Sequence, residues 1–204
     1  MPAKNRFTKE QIIDAALSLV REKGSSALSA RTLAKRLGAS PQPIFSYFDS
    51  MESLREAVVD AAKEIYAERV KVGLSQTPAF KGAGEQYILF AKEEPELFQL
   101  LFMTENKYAE NFQDVFSILG KTAKACIDII ERDYKLEPDR AMLLFEHAWI
   151  HSFGICVMCA MGTCRFTDEE ISQMLSDNFM GMMMLTKSDF ANQNAITPQR
   201  KITE

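Results

Sequence analysis

The chain is poor in the residues that do chemistry. It has two histidines and one tryptophan among 204 residues, and it contains no P-loop, no glycine-rich dinucleotide turn and no His-Glu-x-x-His motif. The common routes to nucleotide hydrolysis, hydride transfer and zinc proteolysis are thereby excluded, and no enzyme activity, catalytic residue, cofactor or metal site is expected. An excess of positive charge is also missing: 24 basic side chains stand against 28 acidic ones, a formal charge of -4, which excludes a protein that coats nucleic acid by bulk charge. The opening Met1-Pro2-Ala3-Lys4-Asn5-Arg6 has no apolar signal core, so secretion is not expected and the cytoplasm is the expected location. The cysteines, Cys126, Cys156, Cys159 and Cys164, fall close together, which favours reduced thiols over a disulfide framework.

Charge is unevenly distributed. Residues 1–50 carry eight basic side chains against four acidic ones, so a +4 head precedes a body of -8. The longest uncharged stretch, the 18 residues from His147 to Cys164, approaches the length of a membrane span. It contains two His, Ser152, Thr163 and two Gly and continues a helix that begins in charged sequence. Burial within the protein is the expectation, and no membrane contact is expected.

Hydrophobic periodicity is helical almost throughout, so the expected fold class is all-α, with about nine helices. Thr8 and Gln11 form a capping-box pair, Phe7 can staple onto Ile12, and Ile12, Ile13, Ala16, Leu17 and Val20 make an apolar stripe that ends at Gly24, expected as a left-handed cap. Ser29 is expected to cap a second helix that buries Leu33, Ala34 and Leu37 and closes at Gly38. Ser40 is expected to cap a short third helix with Pro41 and Pro43 in its first turn and Ile44, Phe45 and Phe48 on its buried side. A longer helix after Ser50 carries Leu54, Val58, Ala61 and Ile65. Further helices are expected at about 79–93, 95–104, 108–134, 138–162 and 167–188, the last opening on the capping signature Thr167-Asp168-Glu169-Glu170. This gives a basic, three-helix head over 1–50, a helical body over 51–189 and a polar, flexible tail over 190–204.

Two short helices joined at Gly38, within the basic head, spell a helix-turn-helix. A short helix pointing its N-terminus at DNA offers free amides to phosphates. Its expected outer residues are Pro41, Gln42, Pro43, Ser46 and Tyr47; Gln42 suits an adenine edge and the prolines suit thymine methyls. Phe7-Thr8-Lys9-Glu10-Gln11-Ile12-Ile13-Asp14-Ala15-Ala16, Leu28-Ser29-Ala30-Arg31-Thr32-Leu33-Ala34, Leu37-Gly38-Ala39-Ser40, Phe45-Ser46-Tyr47-Phe48 and Leu54 together resemble, in register, the DNA-binding head of the tetracycline-repressor (TetR) family of transcriptional regulators. The resemblance implies a homodimer that sits on a palindromic operator in double-stranded DNA and leaves it when a small molecule enters the C-terminal domain. Carried over, it puts phosphate contacts on Ser29, Thr32, Ser40 and Tyr47, with Arg31 as a basic neighbour, and base contacts on Pro41, Gln42, Pro43 and Ser46. Two positions depart from the family pattern: Phe45 stands where Tyr is usual and Met51 where Lys is usual.

Further along, Glu94-Pro95-Glu96-Leu97-Phe98-Gln99-Leu100-Leu101-Phe102 and Trp149-Ile150-His151 with Gly154 resemble a C-terminal domain type found in part of that family. Phe90, Phe98, Phe102, Met103, Phe116, Phe145 and Trp149 are the candidates for an apolar, aromatic effector site. The helix from 138 is apolar all round after Ala148 and needs cover on both sides. Phe153, Val157 and Ala160 on it, with Ile171, Met174, Leu175, Phe179 and Met182 on the last helix, are the candidates for a dimer interface built as a four-helix bundle. The competing reading is a thiol- or metal-dependent sensor or enzyme using Cys156, Cys159, Cys164, His147 and His151. His151 and Cys156 lie about 140° apart around one helix, which argues against a joint site.

Overall fold

The computed structural model describes residues 7–105 and 110–187; the expected tail over 190–204 lies outside them. Among the described residues the protein is helical, without strands. The head comprises α1 (Lys9–Lys23), α2 (Ala30–Leu37) and α3 (Gln42–Phe45), and α4 (Met51–Leu74) leads out of it. The body comprises α5 (Ala79–Glu93), α6 (Pro95–Phe102), α7 (Lys121–Tyr134), α8 (Pro138–Ala160) and α9 (Asp168–Lys187).

Local chemistry sets most of the boundaries. The Thr8 hydroxyl accepts from the Gln11 amide while the Gln11 side chain accepts from the Thr8 amide. The same reciprocal pairing occurs for Ser29 with Thr32, Ser50 with Ser53 and Thr167 with Glu170, so four helices start on a capping box. Gly38 closes α2, as expected, in the left-handed conformation at φ 60°, ψ 39°. Gly24 differs: its φ of 77° pairs with a ψ of 165°, an extended glycine conformation rather than a left-handed cap, which turns the chain at once into a 3-10 turn at Ser25–Ala27.

The third helix corrects the sequence reading. It begins at Gln42 with Pro41 as its N-cap, not Ser40, and no side chain caps it. Pro41 already has helical angles, and its carbonyl accepts from the Ile44 amide at 3.0 Å. Ile44 and Phe48, one turn apart, are buried, whereas Phe45 is 47% exposed. Helix α3 ends at Phe45, so only Ile44 within it and Phe48 beyond it reach the core.

The single helix expected over 108–134 is also two elements. A 3-10 segment, Phe112–Leu119, precedes α7, and Gly120 between them has φ 51°, ψ -129°, outside any helix. The Asp114 carboxylate accepts from the Glu110 and Asn111 amides and holds the start of the segment. On α4 the buried stripe is Leu54, Val58, Ala62, Tyr66 and Val70, a strict fourth-residue repeat that leaves the expected Ala61 and Ile65 half-buried. Near its end α4 crosses α5 at Gly73 and Gly82, where a Cβ on either would run into the other's carbonyl.

The core is continuous from Ile12 and Leu33 in the head through Leu54, Phe90 and Phe98 to Leu144 and Ile155. Helix α8 is long and apolar enough to cross a membrane; here it lies in the middle of the body, packed against α5, α6, α7 and α9.

Candidate functional site

The outer face of α2 and α3 is polar and aromatic rather than charged. Arg31, Thr32, Ser40, Pro41, Gln42, Phe45 and Ser46 are exposed, and Ser29, Pro43 and Tyr47 are half-buried. Several of the expected contact groups have local partners. The Thr32 hydroxyl donates to the Ala27 carbonyl at 2.7 Å, and Ser46 donates to the Gln42 carbonyl at 3.1 Å. The Tyr47 hydroxyl, expected on the outer face, turns back and donates to the Phe7 carbonyl at 3.0 Å, tying α3 to the start of α1. Arg36 is held by Glu22 and by Ser18. Arg31 and Lys35 are the exposed cations on α2, while Gln42 and Phe45 project from α3 with no charged residue between Ser40 and Ser46. Met51, where the resemblance expects a lysine, packs half-buried against the core.

The body holds a cavity of about 390 Å³ bounded by α4, α5, α7, α8 and α9. Tyr66, Tyr87, Phe80, Tyr134, Phe145, Trp149 and Phe179 make most of its wall, with Leu119, Ala123, Cys126 and Leu175 between them. Trp149 stacks on Phe153 at 5.2 Å and 11° and lies near-parallel to Tyr87 at 6.5 Å and 18°. Phe116 meets Trp149 in a T-shaped contact at 5.2 Å and 85°.

Of the seven expected effector residues, Phe145 and Trp149 line this cavity. Phe90 and Phe98 are fully buried in the core, and Met103 is exposed. Phe102 packs edge-on against Tyr66 and Tyr87 from behind, and Phe116 backs Phe145 and Trp149. Sequence reasoning missed Tyr66 and Tyr87; the fourth-residue stripe on α4, continued past Ala62, was the signal for the first.

The expected interface residues divide. Ile171 is buried in its own protomer, and Leu175 and Phe179 line the cavity. Phe153, Val157, Ala160, Met174 and Met182 are half-buried against the protomer's core. The exposed apolar side chains are others: Ile150, Met158 and Met161 on or just after α8, and Met180, Met184 and Leu185 on α9.

Of the four thiols, Cys126 and Cys156 are buried and Cys159 and Cys164 half-buried. Burial pushes Cys126 up to about 12 and raises Cys156 well above the usual thiol range. Cys156 lies 3.7 Å from the Tyr87 carbonyl. His147 is exposed and His151 half-buried. No group of three metal-binding side chains converges among the described residues.

Residues 12–58, which span α1 to the first part of α4, match the family model of bacterial regulatory proteins, tetR family. The head is similar to that of the tetR family. A TetR-like transcriptional regulator from Rhodococcus sp. RHA1 superimposes with a TM-score of 0.63 at 14% identity, over 86% of this chain and 95% of that one. TetR from Acinetobacter baumannii AYE, as a variant in complex with minocycline, does so with 0.53 at 20% identity over 90% and 100%. The flavonoid-responsive regulator FrrA gives 0.53 at 18% identity over 85% and 94%. No curated protein matches the sequence. The TetR-like fold thus extends beyond the matched head to most of the chain.

Proposed function

We propose that the protein is a ligand-responsive repressor: a homodimer, acting in the cytoplasm, that binds a palindromic operator through residues 1–50 and is released when a small, apolar, aromatic molecule enters the body formed by residues 51–189. The observation that carries this reading is the conjunction of a tetR-type head with an aromatic cavity of about 390 Å³ one helix away. That volume lies within the range of small-molecule sites. Tyr66 and Val70, which line the cavity, stand on the same helix as Leu54 and Val58, which seal the head. One structural neighbour is described as flavonoid-responsive and another is in complex with minocycline, which favours an organic effector. Base contacts fall to Gln42, Pro41, Phe45 and Ser46, and phosphate contacts to Arg31 and Lys35.

The test is selection of bound sequences from random duplex DNA, followed by salt titration of the selected site. Enrichment of an inverted repeat, bound with an affinity that falls steeply with salt, is the expected result. A selection that enriches no two-fold symmetric sequence overturns the reading.

A further inference from the structure

Two hydrogen-bond donors in the cavity wall have no acceptor. Tyr87 and Trp149 are 4% and 9% exposed, and both line the cavity. Among the described residues neither the Tyr87 hydroxyl nor the Trp149 indole nitrogen has a partner. A buried donor left unpaired is destabilising, and most such groups in folded proteins find a partner in protein, water or ligand. Two hydroxyls in the wall are satisfied within the protein: Ser152 donates to the Ala148 carbonyl at 2.8 Å and Thr122 to the Leu119 carbonyl at 2.5 Å. Lys81 is the one charged side chain that lines the cavity among the described residues, and its ammonium lies 4.0 Å from the Glu85 carboxylate.

From this arrangement we infer that the effector is a neutral, flat aromatic molecule bearing oxygen acceptors, of the aromatic-ketone class, which accepts hydrogen bonds from Tyr87 and Trp149 while its rings lie among Tyr66, Phe145 and Phe179. Aromatic rings supply the stacking surface. The donors supply orientation and select against a bare hydrocarbon, and the lack of an unpaired cation selects against a carboxylate. This inference rests on the cavity being the effector site, as proposed above.

The test uses three probes of nearly equal shape, fluorenone, fluorene and a fluorenone carboxylate, titrated by calorimetry into the full chain and into Tyr87→Phe and Trp149→Phe. Trp149 fluorescence gives a second readout in the first two proteins, because it is the only tryptophan. The affinity ratio of fluorenone to fluorene is expected to drop about five- to tenfold in each variant, with fluorene binding to Tyr87→Phe little changed. Without ligand, Tyr87→Phe should melt higher by about 2 to 4 °C, since it removes an unpaired buried hydroxyl. The carboxylate should bind at least tenfold more weakly than fluorenone. A ratio unchanged in both variants, or a carboxylate that binds as tightly as the ketone, overturns this inference and leaves the cavity reading standing. If neither fluorene nor fluorenone binds, the cavity reading falls, and this inference with it.

Discussion

Arg21 on α1 and Glu94, the residue that precedes α6, form a two-point ion pair: the guanidinium Nε lies 2.8 Å from one carboxylate oxygen and Nη2 lies 2.9 Å from the other. The pair joins the head to the body. Helix α6 carries Phe98 and Phe102, which pack on Tyr87 at 5.9 and 5.5 Å, and Tyr87 is in the cavity wall. A ligand that moves Tyr87 therefore has a contiguous packed route through α6 to Arg21.

Uncoupling is the expected consequence of breaking this pair. Because the arginine is partly exposed, its loss should cost little stability, about 0.2 to 1 kcal/mol. Arg21→Gln and Glu94→Gln should each retain operator binding in the absence of ligand. The ligand's effect on operator affinity, expected at about 1 to 3 kcal/mol, should fall by roughly half in each. The double variant should lose no more than either single one. Operator affinity measured with and without saturating ligand checks this, and full coupling in both single variants would remove the pair from the route.

The second prediction concerns base preference. Gln42 and Phe45 are the exposed side chains on α3 that suit an adenine edge and a thymine methyl, and no arginine or lysine is present there to read guanine. Each half-site should therefore be rich in A·T pairs where α3 docks. Gln42→Ala should relax preference at one position per half-site by about 1 to 3 kcal/mol. Phe45→Ala should abolish the loss of affinity that follows replacement of a contacted thymine by uracil. Tyr47→Phe should leave base preference intact and destabilise the head by about 0.5 to 1.5 kcal/mol, because that hydroxyl serves Phe7. Uniform loss across all sequences for Gln42→Ala would assign it to positioning instead.

Dimerisation is expected along the exposed stripes of α8 and α9. Ile150, Met158 and Met161 on one and Met180, Met184 and Leu185 on the other are 38 to 67% exposed, and a Cβ built on Gly154 or Gly181 meets nothing within 4 Å. Two such helix pairs across a two-fold axis would bury these faces as a four-helix bundle. Met184→Glu should give a monomer with unchanged helical content, because the side chain is outside the protomer's core. Ile171→Glu should instead lose helical content, because Ile171 is 3% exposed within one chain. Light scattering with circular dichroism separates the two outcomes, and a wild type that is monomeric at micromolar concentration would overturn the architecture.

The fold was legible in the sequence wherever a local rule acted alone. Thr8, Ser29 and Thr167 each start a helix by the same capping chemistry, so α1, α2 and α9 could be read within a residue or so of their true starts. Reading failed where tertiary geometry chose between local options. Phe45 and Tyr47 exchanged sides because α3 is one turn long and its phase is set by Ile44 and Phe48 alone. Gly120 split an apparently continuous helix because glycine can adopt the positive φ found there. Of the cavity wall, Phe145 and Trp149 could be nominated from aromatic content. Tyr66, Tyr87 and Phe179 line the same space from α4, α5 and α9, and that convergence is a property of helix packing that no local pattern carries.

The last prediction is a loss of stability on the alkaline side. Burial raises the Cys126 thiol to about 12, raises Cys156 and Cys159, and raises the hydroxyls of Tyr66 and Tyr87, because each ionised form would have to be desolvated in the cavity wall or the core behind it. In the unfolded chain a thiol titrates near 8.5 and a phenol near 10. Between about pH 8.5 and 12 the unfolded state therefore binds fewer protons than the native state. The slope of unfolding free energy with pH is then negative, and it approaches about 1.4 kcal/mol per pH unit for each thiol that ionises only on unfolding. Below about pH 8 these groups are neutral in both states, so their contribution is fully present there and does not vary. The urea midpoint of the reduced protein should accordingly be flat in this respect up to about pH 8 and fall steadily toward pH 10. Cys126→Ala should make that fall shallower while lowering the midpoint at pH 7, since a packed side chain is lost. A midpoint that holds constant from pH 8 to 10 would mean that the thiols meet solvent in the native state, and iodoacetamide would then label Cys126 as fast as Cys164.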